Sequence, residues 1–289
     1  MTYVSAVMIA LIVFIHLPVV DAGWYGAWRK WGVDGICRLG VPWFFFASGV
    51  YFARHIGESD GWHGREIRKR VSGLLVPYFI LNLVWFPFMV VLNWIGTKYF
   101  NYPAVVTLSP EWIVKGLGLS PVDWPIIVPT WFLRALFVVV LVGGFIWRFL
   151  RFNKISALLV SAVFWGLYTA QQICLPQFSD FFIFGLNLQG LALFTTGIFL
   201  SSWLKPGRSA SPFLRCAVWS VFILHAPLLS LLLIPCKAFG WSAVFASPAC
   251  YFGVWLARIV FSALAGRFLH IDRIRGFLCM TRNRAEHCG

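Results

Sequence analysis

Met1-Thr-Tyr-Val-Ser5-Ala-Val-Met-Ile-Ala10-Leu-Ile-Val-Phe-Ile-His16-Leu-Pro-Val-Val20 is an apolar run without a single charged residue. It is near the length needed to cross a bilayer and carries a histidine close to its far end. A second histidine, His225, lies inside the apolar stretch 217–235. Ionisable side chains are costly in hydrocarbon, so one kept there marks a functional site by default. Histidine is also the side chain best suited to moving protons near neutral pH. The plain alternative is a histidine hydrogen-bonded to a neighbouring helix as packing. Two histidines at matching depth favour function.

Working outward, the same kind of run recurs along the chain, at about 3–20, 39–53, 74–95, 130–148, 155–174, 181–204, 214–235 and 243–265. The second is short for a span. The first is too long, and too weakly flanked by N-terminal positive charge, for a cleaved signal peptide. Sixty per cent of residues are hydrophobic and 12% charged, and the mean hydropathy is +0.79. A soluble domain carries about twice that charged fraction. The pattern predicts an all-α, polytopic integral membrane bundle of about eight transmembrane helices, with no soluble domain and no internal repeat. The membrane domain covers 1–268, and a basic cytoplasmic tail follows at 269–289.

A net charge of +14 suggests nucleic acid at first, but its distribution argues against that partner. If the N-terminus is cytoplasmic and the spans alternate, the inner segments hold sixteen basic residues and the outer segments six. That asymmetry is the positive-inside pattern, so the charge reads as an orientation signal with both termini cytoplasmic. Seven cysteines show no paired metal-ligand spacing, and no metal is expected. Cys37, Cys174 and Cys236 fall near the outer face, where a disulfide between an unspecified pair is compatible. No Gly-rich phosphate loop or Gly-x-Ser-x-Gly turn is present.

Span limits and the helical rise convert position into depth. His16 falls roughly 20 Å and His225 roughly 17 Å from the cytoplasmic side, and Arg134 about 6 Å below the outer surface. All three lie in the outer half of the membrane, where one polar pocket would hold them. Arg258 is only about 10 Å from the inner boundary and reads as a snorkelling or packing arginine. Asn82, Gln171, Gln172, Asn187 and Gln189 are candidate interhelical hydrogen-bond partners, and Ser48-Gly49 a small pair permitting close helix approach. Residues 54–73 read as a basic inner loop, and the proline-rich 96–129 segment as an interfacial lid or short re-entrant helix.

Five segments in order carry a resemblance. They are Ala-Leu-Ile-Val-Phe-Ile-His16, Val41-Pro42-Trp-Phe-Phe-Phe-Ala-Ser48-Gly49-Val-Tyr51, Lys69-Arg70-Val-Ser-Gly-Leu-Leu-Val-Pro77-Tyr78, Thr130-Trp131-Phe132-Leu133-Arg134-Ala-Leu136 and Val221-Phe-Ile-Leu-His225-Ala-Pro227-Leu. Together they resemble acyltransferase family 3, integral membrane enzymes that O-acylate surface glycans and related molecules. The resemblance implies transfer from acyl-CoA, usually acetyl-CoA, to a hydroxyl of a carbohydrate or glycolipid acceptor, in the inner (plasma) membrane among its lipids. It matches His16 and His225 to the family's first-span and late histidines. It likewise matches Arg65, Arg68, Lys69 and Arg70 to the basic loop before the third span, and Trp131 and Arg134 to the opening of a middle span. Ser5 stands where the family often has a basic residue, and Gly73 where a second one is common. The gap between the sixth span and His225 is too short for the helical pair the family usually carries there.

The chemistry holds together on its own terms. A sugar hydroxyl is a poor nucleophile at neutral pH, so attack on a thioester needs a positioned base. The expected assignment makes His16 that base and His225 its orienting partner or proton relay. Arg134 stabilises the oxyanion or binds acceptor oxygens, beside Trp131 as a substrate-binding residue. The Arg65, Arg68, Lys69 and Arg70 cluster offers charge-assisted donors to the phosphates of acyl-CoA. The alternatives are a multi-pass transporter or exporter with a histidine proton relay, and a truncated, inactive member of the same fold. Missing repeats and scarce intramembrane carboxylates speak against the first.

Overall fold

The computed structural model describes residues 2–17, 23–54, 62–100, 109–116, 125, 127–149, 153–175, 186–204, 211, 214, 217–225, 227–228, 231 and 247–268. Among these the regular structure is helical, with no extended strand. Helix α1 spans Thr2–Ile15, α2 Gly23–Trp28, α3 Gly40–Ala53, α4 Trp62–Arg70, α5 Val76–Phe100, α6 Pro110–Gly116, α7 Trp131–Phe149, α8 Lys154–Cys174 and α9 Leu188–Leu200. Helix α10 is described over 217–225, and α11 covers Pro248–Phe268. Each expected span coincides at least in part with one of these helices. Four described helical stretches are long and apolar enough to cross a membrane: Gly23–Ala53, Gly64–Ile95, Lys154–Cys174 and Pro248–Phe268. Shorter apolar helices cover Tyr3–Ile15, Trp131–Trp147 and Leu188–Leu200.

Three boundaries differ from the sequence reading, each for a local reason. Helix α1 stops at Ile15 because Leu17 precedes Pro18, which disfavours helical backbone at the preceding residue. His16 therefore sits in the turn at the end of α1, closed by a Leu17 N to Phe14 O bond of 3.1 Å. The expected basic loop at 54–73 is helical from Trp62 onward. Its Arg-Glu-Ile-Arg-Lys-Arg core is rich in helix formers, with an acid four residues ahead of an arginine. A π-helical turn, Val71–Leu75, carries α4 into α5 without a break. Within the expected lid, α6 begins at a proline in its first turn, as helices favour. Residues 101–108 and 117–124 of that segment, with Trp124, lie outside the described residues, as does the 269–289 tail.

Close packing centres on α3 against α9. A Cβ at Gly49 would run into the carbonyl of Phe194, and one at Gly197 into the carbonyl of Phe46, so each helix presses its backbone onto the other's glycine. Lipid supplies no hydrophobic drive between helices, and small residues of this kind let van der Waals contact replace it. Ser48-Gly49 thus serves the close approach expected of it. Phe45, Phe52, Phe132, Leu191, Phe194 and Ile198 fill the adjoining core. Helix α8 docks on α9 through Ser161 Oγ and Trp165 Nε1, each 2.9 Å from Thr196 Oγ1. The opposite side of α8 exposes Ile155, Leu159, Val163 and Ile173, an apolar surface suited to hydrocarbon rather than water.

Replacing Gly49 or Gly197 by alanine should destabilise the bundle by about 1–3 kcal/mol or more, because backbone rather than side chain must move. Thermal unfolding followed by fluorescence-detected size exclusion checks this; a wild-type transition in both variants would contradict the packing.

Candidate active site

Helices α1 and α11 run antiparallel and are clamped near the end of α1. Phe14 packs edge-on against Trp28, Tyr251 and Trp255, with ring centroids 5.6–5.7 Å apart. Trp255 Nε1 donates to the Ala10 carbonyl at 2.9 Å. The clamp fixes the turn that carries His16. Helix α10 lies against α11 closely enough that a Cβ at Gly266 would strike the Ser220 side chain. These two contacts bring the histidines together: the rings of His16 and His225 are 5.4 Å apart between centroids, tilted by 41°. The depth match read from the sequence is a real juxtaposition.

His225 is fully buried, and its surroundings assign its tautomer. Nδ1 is 3.0 Å from the Val221 carbonyl and 2.8 Å from the Phe222 carbonyl. Carbonyls only accept, so Nδ1 carries the hydrogen and Nε2 holds the lone pair. Nε2 is buried without a hydrogen-bond partner.

Arg258, read from the sequence as a snorkelling or packing arginine, does not snorkel but is packed inside the bundle. Its side chain is only 4% exposed. Nη2 donates to the His225 carbonyl at 2.6 Å, and Nη1 reaches the Val13 carbonyl at 3.5 Å. On the sequence's own depth scale Arg258 and His225 differ by about 7 Å, a gap that a long arginine side chain bridges. The signal was present as a charge at the middle of an apolar 21-residue helix, whose other charge, Arg267, lies in the last turn.

Arg134 faces another way. Its guanidinium lies over the Tyr78 ring at 5.8 Å, on the α5 side of α7. Phe132, two residues earlier and about 200° around the helix, turns instead toward Phe222 of α10 at 6.0 Å. Trp131 is partly buried against the core beside Phe132. Asn82 anchors this end of α7: Nδ2 donates to Tyr78 O at 2.8 Å and Thr130 Oγ1 at 2.9 Å, and Oδ1 accepts from Ile127 N at 3.1 Å. Of the expected interhelical amides Asn82 takes that role, whereas Asn187 caps α9.

The basic cluster divides into two faces of α4. Glu66 is buried, and Arg70 grips its Oε1 through Nε at 2.9 Å and Nη2 at 2.8 Å, with Lys69 Nζ 3.7 Å from Oε2. Arg65 and Arg68 are exposed. At the two positions departing from the resemblance, Ser5 Oγ accepts from Trp43 Nε1 of α3 at 3.2 Å, and Gly73 is exposed with open space around it. Cys37 and Cys174 are free thiols, and Cys236 lies outside the described residues. Among the described residues no group of three or more His, Cys, Asp or Glu side chains converges to hold a metal ion.

The family model of acyltransferase family 3, described as an acyltransferase domain, matches residues 2–280. The chain belongs to acyltransferase family 3. Neither a curated protein nor a solved structure matches it. Membership makes this apolar bundle a membrane acyltransferase.

Histidine 15N spectra of labelled acyltransferase in detergent should contain one imidazole held as the Nδ1–H tautomer, absent from His225→Ala. An Nε2–H signature for His225 would contradict the hydrogen bonding described. Glu66→Gln should loosen α4 and speed tryptic cleavage at Arg68–Arg70, since Arg70 loses its buried partner; unchanged cleavage would show that the ion pair contributes nothing to local order.

Proposed function

We propose that this membrane acyltransferase moves an acyl group, acetyl in the first instance, from cytoplasmic acyl-CoA to a hydroxyl of a surface glycan or related carbohydrate. The observation that carries the reading is the 5.4 Å pairing of His16 with the buried His225. Two imidazoles this close pass a proton directly or through one bridging group, the reach that general-base catalysis needs. His16 takes the proton from the acceptor hydroxyl. His225, its Nδ1–H tied to two carbonyls, offers Nε2 as a fixed acceptor for the opposite N–H of His16. Nε2 has no partner in the resting geometry, so it is open to receive that N–H as His16 takes up the proton, orienting His16 and stabilising its protonated form. The attacking oxygen adds to the thioester carbon, the C–S bond then breaks, and the departing CoA thiolate recovers the proton. The products are the ester and free CoA.

Donor and acceptor are assigned to opposite ends of the bundle. Arg65 and Arg68, with Lys69 and Arg70, are assigned to the CoA phosphates as charge-assisted donors, a reading their exposure supports for the first two. Trp131 and Arg134, at the start of α7, are assigned to the acceptor's ring face and oxygens. This arrangement adopts eight spans with both termini cytoplasmic in the inner membrane, in keeping with the sixteen-to-six division of basic residues.

Membranes carrying the wild type should transfer radiolabel from acetyl-CoA to glycan. His16→Ala should lower transfer by about 10²–10⁴-fold at unchanged protein level. His225→Ala should also be severe, and the double variant little worse than His16→Ala alone, because groups acting as a unit are not additive. Full activity in His16→Ala would remove the assignment.

Arg68→Gln should raise the donor KM with little change in kcat, the mark of lost uniform binding. Cysteines introduced at 60–70 should be shielded from impermeant reagents outside the cell and those at 100–125 exposed; the reverse pattern overturns the orientation.

A further inference from the structure

We propose that Arg258 is a catalytic residue of this site, binding the oxyanion through its unpartnered Nε–H while its other nitrogens hold the two histidine-bearing backbones together. The inference rests on the acyl-transfer reading above and adds to it the group that receives the developing negative charge.

Three observations carry it. First, the guanidinium bridges the helices of both histidines: Nη2 is 2.6 Å from the carbonyl of His225 itself, and Nη1 3.5 Å from the carbonyl of Val13, one turn before His16. Second, Nε is buried with no hydrogen-bond partner, although the side chain is 4% exposed and therefore closed to bulk water. A buried donor left unmade is costly, and a substrate oxygen seated beside it would remove that cost. Third, the residue whose carbonyl Arg258 holds is the one whose imidazole pairs with His16 at 5.4 Å between centroids.

The unmet groups are chemically complementary to the reaction. The site offers a lone pair at the imidazoles and one spare N–H at a permanent cation. An adding hydroxyl brings a proton for the first and, as it bonds to the thioester carbon, creates an oxyanion for the second. As the C–O bond forms, the hydroxyl proton moves to His16 and the carbonyl π electrons move onto oxygen, held by Arg258 Nε–H. When the carbonyl reforms, the C–S bond breaks and the thiolate takes the proton back. A donor fixed before the reaction, in a site closed to water, needs no reorganisation when the charge appears. Arg134, turned toward Tyr78, is left to the acceptor.

The test uses full-length enzyme in membranes or detergent, with acetyl-CoA as donor. Arg258→Lys keeps the cation and removes Nε, and Arg258→Gln removes both. The amount of folded protein is read by fluorescence-detected size exclusion, so that kcat is expressed per folded molecule. Loss of an oxyanion donor should lower kcat by about 10²–10³-fold in Arg258→Gln, with KM for acetyl-CoA within about twofold of wild type. Arg258→Lys should lose at least about tenfold in kcat while folding, and carries the test if the glutamine variant fails to fold. A purely structural role predicts the other pattern, less folded protein with wild-type kcat per molecule. Wild-type kcat in Arg258→Lys overturns the proposal. His16→Ala in the same series separates the two failures: inactive His16→Ala beside fully active Arg258→Lys defeats only the arginine's role, whereas active His16→Ala defeats the histidine mechanism beneath it.

Discussion

A guanidinium held inside an apolar bundle, between the carbonyls of His225 and Val13, organises everything around it. Hydrocarbon offers a charge no solvent, so Arg258 must find its partners within the protein. The partners it finds are backbone oxygens on the two elements that carry histidines. Helices α1, α10 and α11 are tied at one point, and the imidazoles meet beside it. The same low-dielectric surroundings that make an unpaired donor costly make a paired one effective, so the elements of structure and of chemistry coincide here.

The rest of the bundle supports that point without taking part in it. Helices α3 and α9 lock through reciprocal glycine-to-carbonyl contacts, a packing that needs no polar group and tolerates no added methyl. Asn82 ties the start of α7 to α5, its two N–H donors engaged by Tyr78 and Thr130 and its oxygen by Ile127. The Phe14 aromatic cluster does for α1 and α11 what those contacts do elsewhere. Each is a way of joining helices where burial of apolar surface gains nothing over lipid. Rigidity at the histidines follows from such joints, because they lie at the end of one helix and within another.

Helix α4 shows why a count of charges is a poor description of a site. Four basic residues within six positions look alike in the sequence. Folded as a helix, they divide: Glu66 turns inward and takes Arg70 and Lys69 with it, leaving Arg65 and Arg68 on the exposed face. The acid's contribution is direction, since an arginine held by a buried carboxylate presents its remaining donors at a fixed angle.

The membrane class, the helical bundle, the histidine pair and the family were all legible in the residues, because hydrophobic length and the penalty on buried charge are properties of sequence alone. The five motif segments sufficed for acyltransferase family 3, and depth along each helix was enough to match His16 with His225. Depth says nothing about rotation or neighbours, and there the sequence ran out. Arg134 had the right depth yet faces Tyr78, whereas Arg258 had the wrong one and reaches the histidines through its side chain. Which face of a helix meets which neighbour depends on packing among helices distant in the chain, and a linear pattern of apolar residues does not encode it. Tertiary structure alone decided which arginine stands beside the histidine pair.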